Sequence, residues 1–182
     1  MIGRVIFLDV DGVLNETDNR DCIVTMRAPH MTHPYIVNMN TVSILNHVLQ
    51  QATYLKLVVS STWREPDNRY ERTVNNLQDF CRVTGLKRNL FHTDWRTPLI
   101  GDGRNRLVEC EAWLNEHPEV FKALAIDDNY SDQFKTQSII KYIKTDPRKG
   151  LTANNINTVL NFFEVRTRAD YTVVTAGGPM PI

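Results

Sequence analysis

Asp9 and Asp11 stand one residue apart in VIFLDVDGVLN, residues 5–15, at the end of an apolar run and just before Gly12. A buried carboxylate costs free energy unless something pairs with it, and two so close also repel. Asp127 and Asp128 close a second apolar run, FKALAIDD. Four such acids at one edge of a fold call for a cation. Carboxylates and a backbone carbonyl form an all-oxygen set that suits Mg2+, a hard ion that retains several waters. Phosphate is the usual companion of that ion, and a carboxylate near it can act as a nucleophile, giving an aspartyl-phosphate. Ser60 and Ser61, in VVSSTWR, offer hydroxyls and following amides to phosphate oxygens. Gly12 permits a sharp turn and offers amides to an anion. A positive group completes such a clamp, and Arg106 or Arg104 supplies it from the start of a helical stretch.

The elements that must position these groups alternate. Residues 4–9 read as a buried strand, and 16–38 as an irregular flap or small hairpin. Helical spacing covers 39–51, with Asn40 or Thr41 as its cap, and a second strand covers 54–60. The stretch 68–84 reads as a helix closed by Gly85. A loop with a short strand near LFHT follows, then a helix over 104–117 stopped at Pro118. Strands over 121–128 and 139–146 precede a last helix over 152–169, capped by Thr152. The expectation is an α/β domain with a three-layer, mostly parallel sheet, whose ligands bind at the carboxyl ends of the strands. Asp9, Ser60 and Asp127 all fall at such ends.

Length and composition set bounds. A chain of 182 residues with 42% hydrophobic and 23% charged residues is one domain with a real core. Residues 1–170 form that domain, with residues 171–182 as a loose tail. Lys+Arg and Asp+Glu are 21 each, so no bulk basic excess announces nucleic acid, although a local basic patch stays open. The N-terminal stretch turns acidic too soon for a signal peptide, and no apolar run approaches a membrane span. Cys22, Cys81 and Cys110 are too widely spaced for a disulfide framework or a zinc pattern. These features read as a cytoplasmic protein that is not bound to a membrane.

FLDVDGVLN resembles the first motif of the haloacid dehalogenase (HAD) superfamily of phosphotransferases. KLVVSSTWR is similar to the second motif, and ALAIDDNYSD to the acidic fourth. With RLVECEAWL and KTDPRKGLT, the set looks like a phage and bacterial branch of HAD domains, some of them fused in RNA-repair proteins. The resemblance implies a Rossmann-like HAD fold and a Mg2+-dependent phosphatase working through an aspartyl-phosphate. It makes Asp9 the nucleophile and a metal ligand. Asp11 becomes the general acid and then the general base, with its carbonyl on the metal. Ser60 binds phosphate, and Arg106 stands where the family usually has Lys, with Arg104 and the more remote Lys122 as rivals. Asp128 is the direct metal ligand, Asp127 acts through water or by orienting neighbours, and Asp132 supports them.

The gaps at 16–38 and 65–103 are too short for a full cap domain, so a minimal cap and an open site are expected. An open site admits a nucleotide, a nucleic-acid end or a small phosphorylated metabolite. The phage-like resemblance also fits a host cytoplasm as the setting. Arg64 joins Gly12, Ser60, Ser61 and Arg106 among the substrate-binding candidates. It belongs to a set with Arg20, Arg27, Arg69, Arg72, Arg88, Arg96 and Arg104 that would track phosphates if clustered. Trp63 reads either as core or as a base-stacking surface. Competing readings are a non-catalytic HAD-like binding module and phosphotransfer to an acceptor other than water. An ordinary solvated pairing of Arg106 with Glu109 or Glu111 is the plainer reading of the arginine.

Overall fold

The computed structural model describes residues 3–15, 23–26, 35–64, 76–101, 105–135 and 138–165. Among these residues, seven strands and four helices run in the order β1 (Arg4–Leu8), β2 (Ile23–Met26), β3 (Tyr35–Asn38), α1 (Met39–Gln51), β4 (Leu55–Val59), α2 (Leu77–Thr84), β5 (Phe91–Arg96), α3 (Arg106–Asn115), β6 (Lys122–Asp127), β7 (Ile140–Lys144) and α4 (Ala153–Phe163). Five strands form one sheet in the order β5-β4-β1-β6-β7, and every pairing in it is parallel. Strands β2 and β3 pair antiparallel as a separate two-stranded unit between β1 and α1.

The central strand β1 is buried on both faces, which is why it reads as an unbroken apolar run. Ile6 and Leu8 point into one core layer with Val42, Leu45, Ile156 and Val159 of α1 and α4. Val5 and Phe7 point into the other, with Cys110, Trp113 and Leu114 of α3. Helices therefore cover both faces, giving the three layers the alternation predicts. Phe7 meets Trp113 edge-on, with ring centroids 5.6 Å apart.

Boundaries differ where side-chain chemistry overrides periodicity. Helix α1 is capped by Asn38, whose Oδ1 accepts from the amides of Asn40 and Thr41, so the cap lies two residues before the first one expected. Gly85 and Thr152 cap as expected, the latter in a reciprocal box with Asn155. Helix α4 stops at Phe163 because Glu164 turns into the left-handed region at φ 55°, well short of residue 169. Helix α3 begins at Arg106, not at 104, behind its cap Asn105. The first half of the expected 68–84 helix and most of 16–38 lie outside the described residues, as do His30 and His33.

Strand order puts the chemistry together. The chain leaves β1 toward β4 and β5 and then crosses back through α3 to β6 on the other side of β1. Ligands bind at such a reversal, beyond the carboxyl ends of the strands.

Candidate active site

The sheet ladder extends one residue past the strands and sets the tips side by side. Asp9 N–H donates to the Ile126 carbonyl at 3.0 Å, and Ser60 N–H to the Leu8 carbonyl at 2.9 Å. Thr145 N–H donates to the Asp127 carbonyl at 3.1 Å. Asp9 is thereby flanked by the β4 tip on one side and the β6 tip on the other.

Carboxylate oxygens of Asp9, Asp127 and Asp128 lie within 4.8 Å of one another. Asp9 and Asp127 are buried, and Asp128 is partly so. Burial, and then the neighbouring Asp127 charge, push the Asp9 pKa well above the ordinary carboxylate value. Burial also raises Asp127, against the pull of the Asn129 and Tyr130 amides, which donate to its Oδ1 at 2.8 and 3.2 Å. Asp128 is raised by burial and by Asp127. Three crowded oxygens in a desolvated pocket are disfavoured as anions until a cation arrives. The donor set therefore fits a hard divalent metal such as Mg2+. Both Asp127 and Asp128 place a carboxylate oxygen in the cluster. Asp132 is exposed and does not join it.

Gly12 shows why no side chain is tolerated there. Its φ is +72°, and an added Cβ would lie 2.6 Å from Cγ of Asp128. Its amide is not turned to an anion as expected: it donates to Asn15 Oδ1 at 2.6 Å, inside its own loop. The glycine instead gives Asp128 its place. The Gly12 carbonyl accepts from the Thr145 hydroxyl at 2.9 Å, tying this loop to the end of β7.

Asp11 is held by two donors. Asn15 Nδ2 donates to one oxygen at 2.7 Å and Trp63 Nε1 to the other at 2.9 Å. Trp63 is 1% exposed and lies edge-on to Phe80, with ring centroids 6.4 Å apart. It is therefore no stacking surface for a base; it is a core residue whose one polar atom orients Asp11.

The two serines divide. The Ser60 hydroxyl contacts Cys110 Sγ at 3.6 Å, while the Ser61 hydroxyl lies close enough to Asp9 to favour its charged form. Both are buried, at 4% and 1% exposure. Ser61 is thus the hydroxyl brought to Asp9, where the sequence reading favoured Ser60.

Arg106 is buried at the first turn of α3. Its Nη1 donates to Glu109 Oε2 at 3.1 Å, and its guanidinium lies 5.3 Å from the centroid of the Tyr130 ring. Its Nε has no hydrogen-bond partner among the described residues. Burial opposes the charge, but Asp9 and then Glu109 outweigh it, and the guanidinium pKa is raised. Arg106 thus lies near enough to Asp9 for the two charges to stabilise each other. Arg104 lies outside the described residues. Lys122 begins β6, at the opposite end from Asp127, and pairs with Glu164 at 2.9 Å.

Arg64 is not available in the way the sequence suggests. Its Nε donates to the Thr97 carbonyl at 3.1 Å, its Nη1 to the Ser61 carbonyl at 2.5 Å, and its Nη2 pairs with Glu109 at 2.5 Å. It buttresses the serine turn. The arginine cluster thins accordingly: Arg20, Arg27, Arg69 and Arg72 lie outside the described residues. Arg88 sits in the turn before β5. Arg96 lies 5.4 Å from the Trp95 ring centroid.

Glu109, 0% exposed, is the group the sequence reading undervalued. It joins Arg64 and Arg106, and its Oε1 accepts from the Ile100 amide at 3.3 Å. Its signal was available. Arg106, Glu109, Cys110 and Trp113 share one helical face, and that face is the buried one. A charged pair on the face of a core Trp is not a solvated pair.

Searches of curated proteins and of solved structures found no match. A family model described as the HAD domain in Swiss Army Knife RNA repair proteins matches residues 5–156. That span runs from β1 into α4 and contains every residue of the site. Membership points to HAD-type phosphatase chemistry in general. The chain belongs to the HAD superfamily, in the branch of HAD domains found in Swiss Army Knife RNA repair proteins.

Proposed function

We propose that this protein is a Mg2+-dependent phosphomonoesterase that works through an aspartyl-phosphate on Asp9. Its substrates are terminal phosphates of nucleic acids or of nucleotides. The observation that carries the reading is the convergence on Asp9: the carboxylates of Asp127 and Asp128 lie beside it, and a buried arginine near it has an Nε without a hydrogen-bond partner among the described residues. The RNA-repair context in the family description favours a nucleic-acid end over a small metabolite.

Asp9, Asp127 and Asp128 would hold the ion, with the Asp11 carbonyl as a further oxygen. When bound, the ion supplies charge neutralisation between the nucleophile and the phosphoryl oxygens. Asp9 attacks phosphorus, and the bond from phosphorus to the ester oxygen breaks. Asp11, oriented by Trp63 and Asn15, gives its proton to the leaving oxygen. Arg106 Nε and the Ser61 hydroxyl bind the phosphoryl oxygens as charge builds on them. In the second step Asp11 takes a proton from water, the water attacks phosphorus, and Asp9 leaves as a carboxylate with inorganic phosphate released.

The test is phosphate release from 3′- and 5′-phosphorylated RNA and DNA oligomers, nucleoside monophosphates and sugar phosphates, with Mg2+ present. Asp9→Asn serves as the control. Activity on nucleic-acid or nucleotide phosphates that Asp9→Asn abolishes supports the reading. Activity confined to sugar phosphates moves the substrate to metabolites. No release from any substrate, or release unchanged in Asp9→Asn, overturns it.

A further inference from the structure

A second group of metal-type ligands lies apart from the Asp9 cluster. His92 in β5, His117 just beyond α3 and Glu119 place one ligand atom each within 4.8 Å of the others. His117 is about three helical turns from Arg106, or roughly 16 Å along α3. The two groups share no residue.

The imidazoles are fixed from behind. His117 stacks on Trp113, with centroids 3.7 Å apart and planes 11° from parallel. His92 meets the same indole edge-on at 5.0 Å, and meets His117 edge-on at 5.0 Å. His117 Nδ1 lies 2.7 Å from the Trp113 carbonyl. A carbonyl only accepts, so that nitrogen carries the proton and Nε2 is left as a lone pair. This is the outer-shell arrangement that prepares a histidine for a metal. His92 Nδ1 lies 3.3 Å from the Asp94 carbonyl and 3.1 Å from the Asp94 amide. The amide can only donate, so Nδ1 accepts and Nε2 carries the proton of the neutral ring, to be released when an ion binds.

Carboxylates close the group. Glu119 Oε1 is 4.0 Å from His92 Nε2, and Asp94 Oδ2 is 3.6 Å from His117 Nε2. The register between β4 and β5 slips by several residues here, so that 92–95 bulge against Val58. Bulges of this kind re-aim side chains.

We infer that His92, His117 and Glu119, with Asp94 or a water as a fourth ligand, form a binding site for a divalent transition ion of the Zn2+ class. Two nitrogens with carboxylate oxygens suit that ion and not Mg2+. The ion would tie the end of α3 to β5. Its role is structural, and the inference stands whether or not the Asp9 site is a phosphatase.

The test uses the full chain without a histidine tag, stripped with EDTA and held in excess Mg2+ so that the acidic cluster is served. Zn2+ uptake is counted by equilibrium dialysis with elemental analysis, and Co2+ is added separately for its visible absorption bands. The expected result is one Zn2+ per chain at micromolar free ion, tetrahedral-type Co2+ bands, and the same uptake in Asp9→Asn. Glu119→Gln, at a half-exposed position that leaves the fold intact by circular dichroism, should weaken binding at least about tenfold. Zn2+ should raise the melting temperature of the wild type but not of Glu119→Gln. Failure to bind, uptake unchanged in both Glu119→Gln and His117→Ala, or uptake lost in Asp9→Asn would each overturn the inference.

Discussion

Glu109→Gln tests the claim that a buried carboxylate positions the arginine of the site. The substitution keeps the volume and keeps an oxygen for the Ile100 amide, so no cavity forms. It removes the only described carboxylate that touches both Arg64 and Arg106. Breaking one partner of a buried ion pair costs about 3–5 kcal/mol, because the other charge stays buried and uncompensated. Asp9 still faces Arg106 and offsets part of that, so the low end, about 3 kcal/mol, is the expected loss. For a chain of this size each kcal/mol lowers the melting temperature by about 2–4 °C, giving a drop of about 6–12 °C. Urea unfolding followed by tryptophan fluorescence measures the loss. A cycle with Arg64→Met isolates the coupling, since the double variant should lose less than the sum of the singles. Activity should fall with it, as Arg106 loses the contact that aims it. A loss below about 1 kcal/mol, the worth of an exposed pair, would refute the reasoning and return Glu109 to the solvated role.

Three further outcomes are expected. Trp63→Phe keeps the packing on Phe80 but removes the donor to Asp11, a hydrogen bond to a charge worth about 1.5–3 kcal/mol. Steady-state kinetics should show kcat lowered about tenfold or more with KM little changed, and an unaltered kcat in a folded variant would sink the orienting role. Gly12→Ala forces a side chain into the left-handed region, at about 1–2 kcal/mol, and drives a Cβ against Asp128. The Mg2+ concentration needed for half-maximal activity should rise sharply, and an unchanged requirement would mean Asp128 is not held by this contact. For His92, burial lowers the folded pKa. Above about pH 6.5 both folded and unfolded states are neutral there, and the group is silent. As the pH falls through that value the unfolded chain takes up a proton that the folded chain resists, so stability declines. In EDTA, the urea midpoint of His92→Gln should fall less between about pH 7 and pH 5 than that of the wild type; equal slopes would contradict the assignment.

Part of this protein is written plainly along its chain. Apolar runs that end in acids, FLD and AID, mark strand tips with ligands, because nothing else justifies a carboxylate beside a buried strand. Gly85 and Thr152 end and begin helices by local backbone chemistry, which needs no distant partner. The acids and serines at the tips, and Arg106 at a helix start, were therefore legible.

The partners of those groups were not. Trp63 reaches Asp11 across 52 positions of sequence, and Glu109 reaches Arg64 past the intervening α2 and β5. Local periodicity carries no information at that range. Whether Ser60 or Ser61 faces Asp9 depends on how the chain rotates as it leaves β4, and the tie from the Arg64 guanidinium to the Ser61 carbonyl helps set that turn. The order β4-β1-β6 is itself tertiary: it alone brings Asp127 beside Asp9 and turns two separate acidic tips into one carboxylate cluster. The sequence determined which residue types wait at the strand ends. Only packing decided which of them meet, because burial removes water as a partner and leaves each charge to be answered by whatever the fold brings within reach.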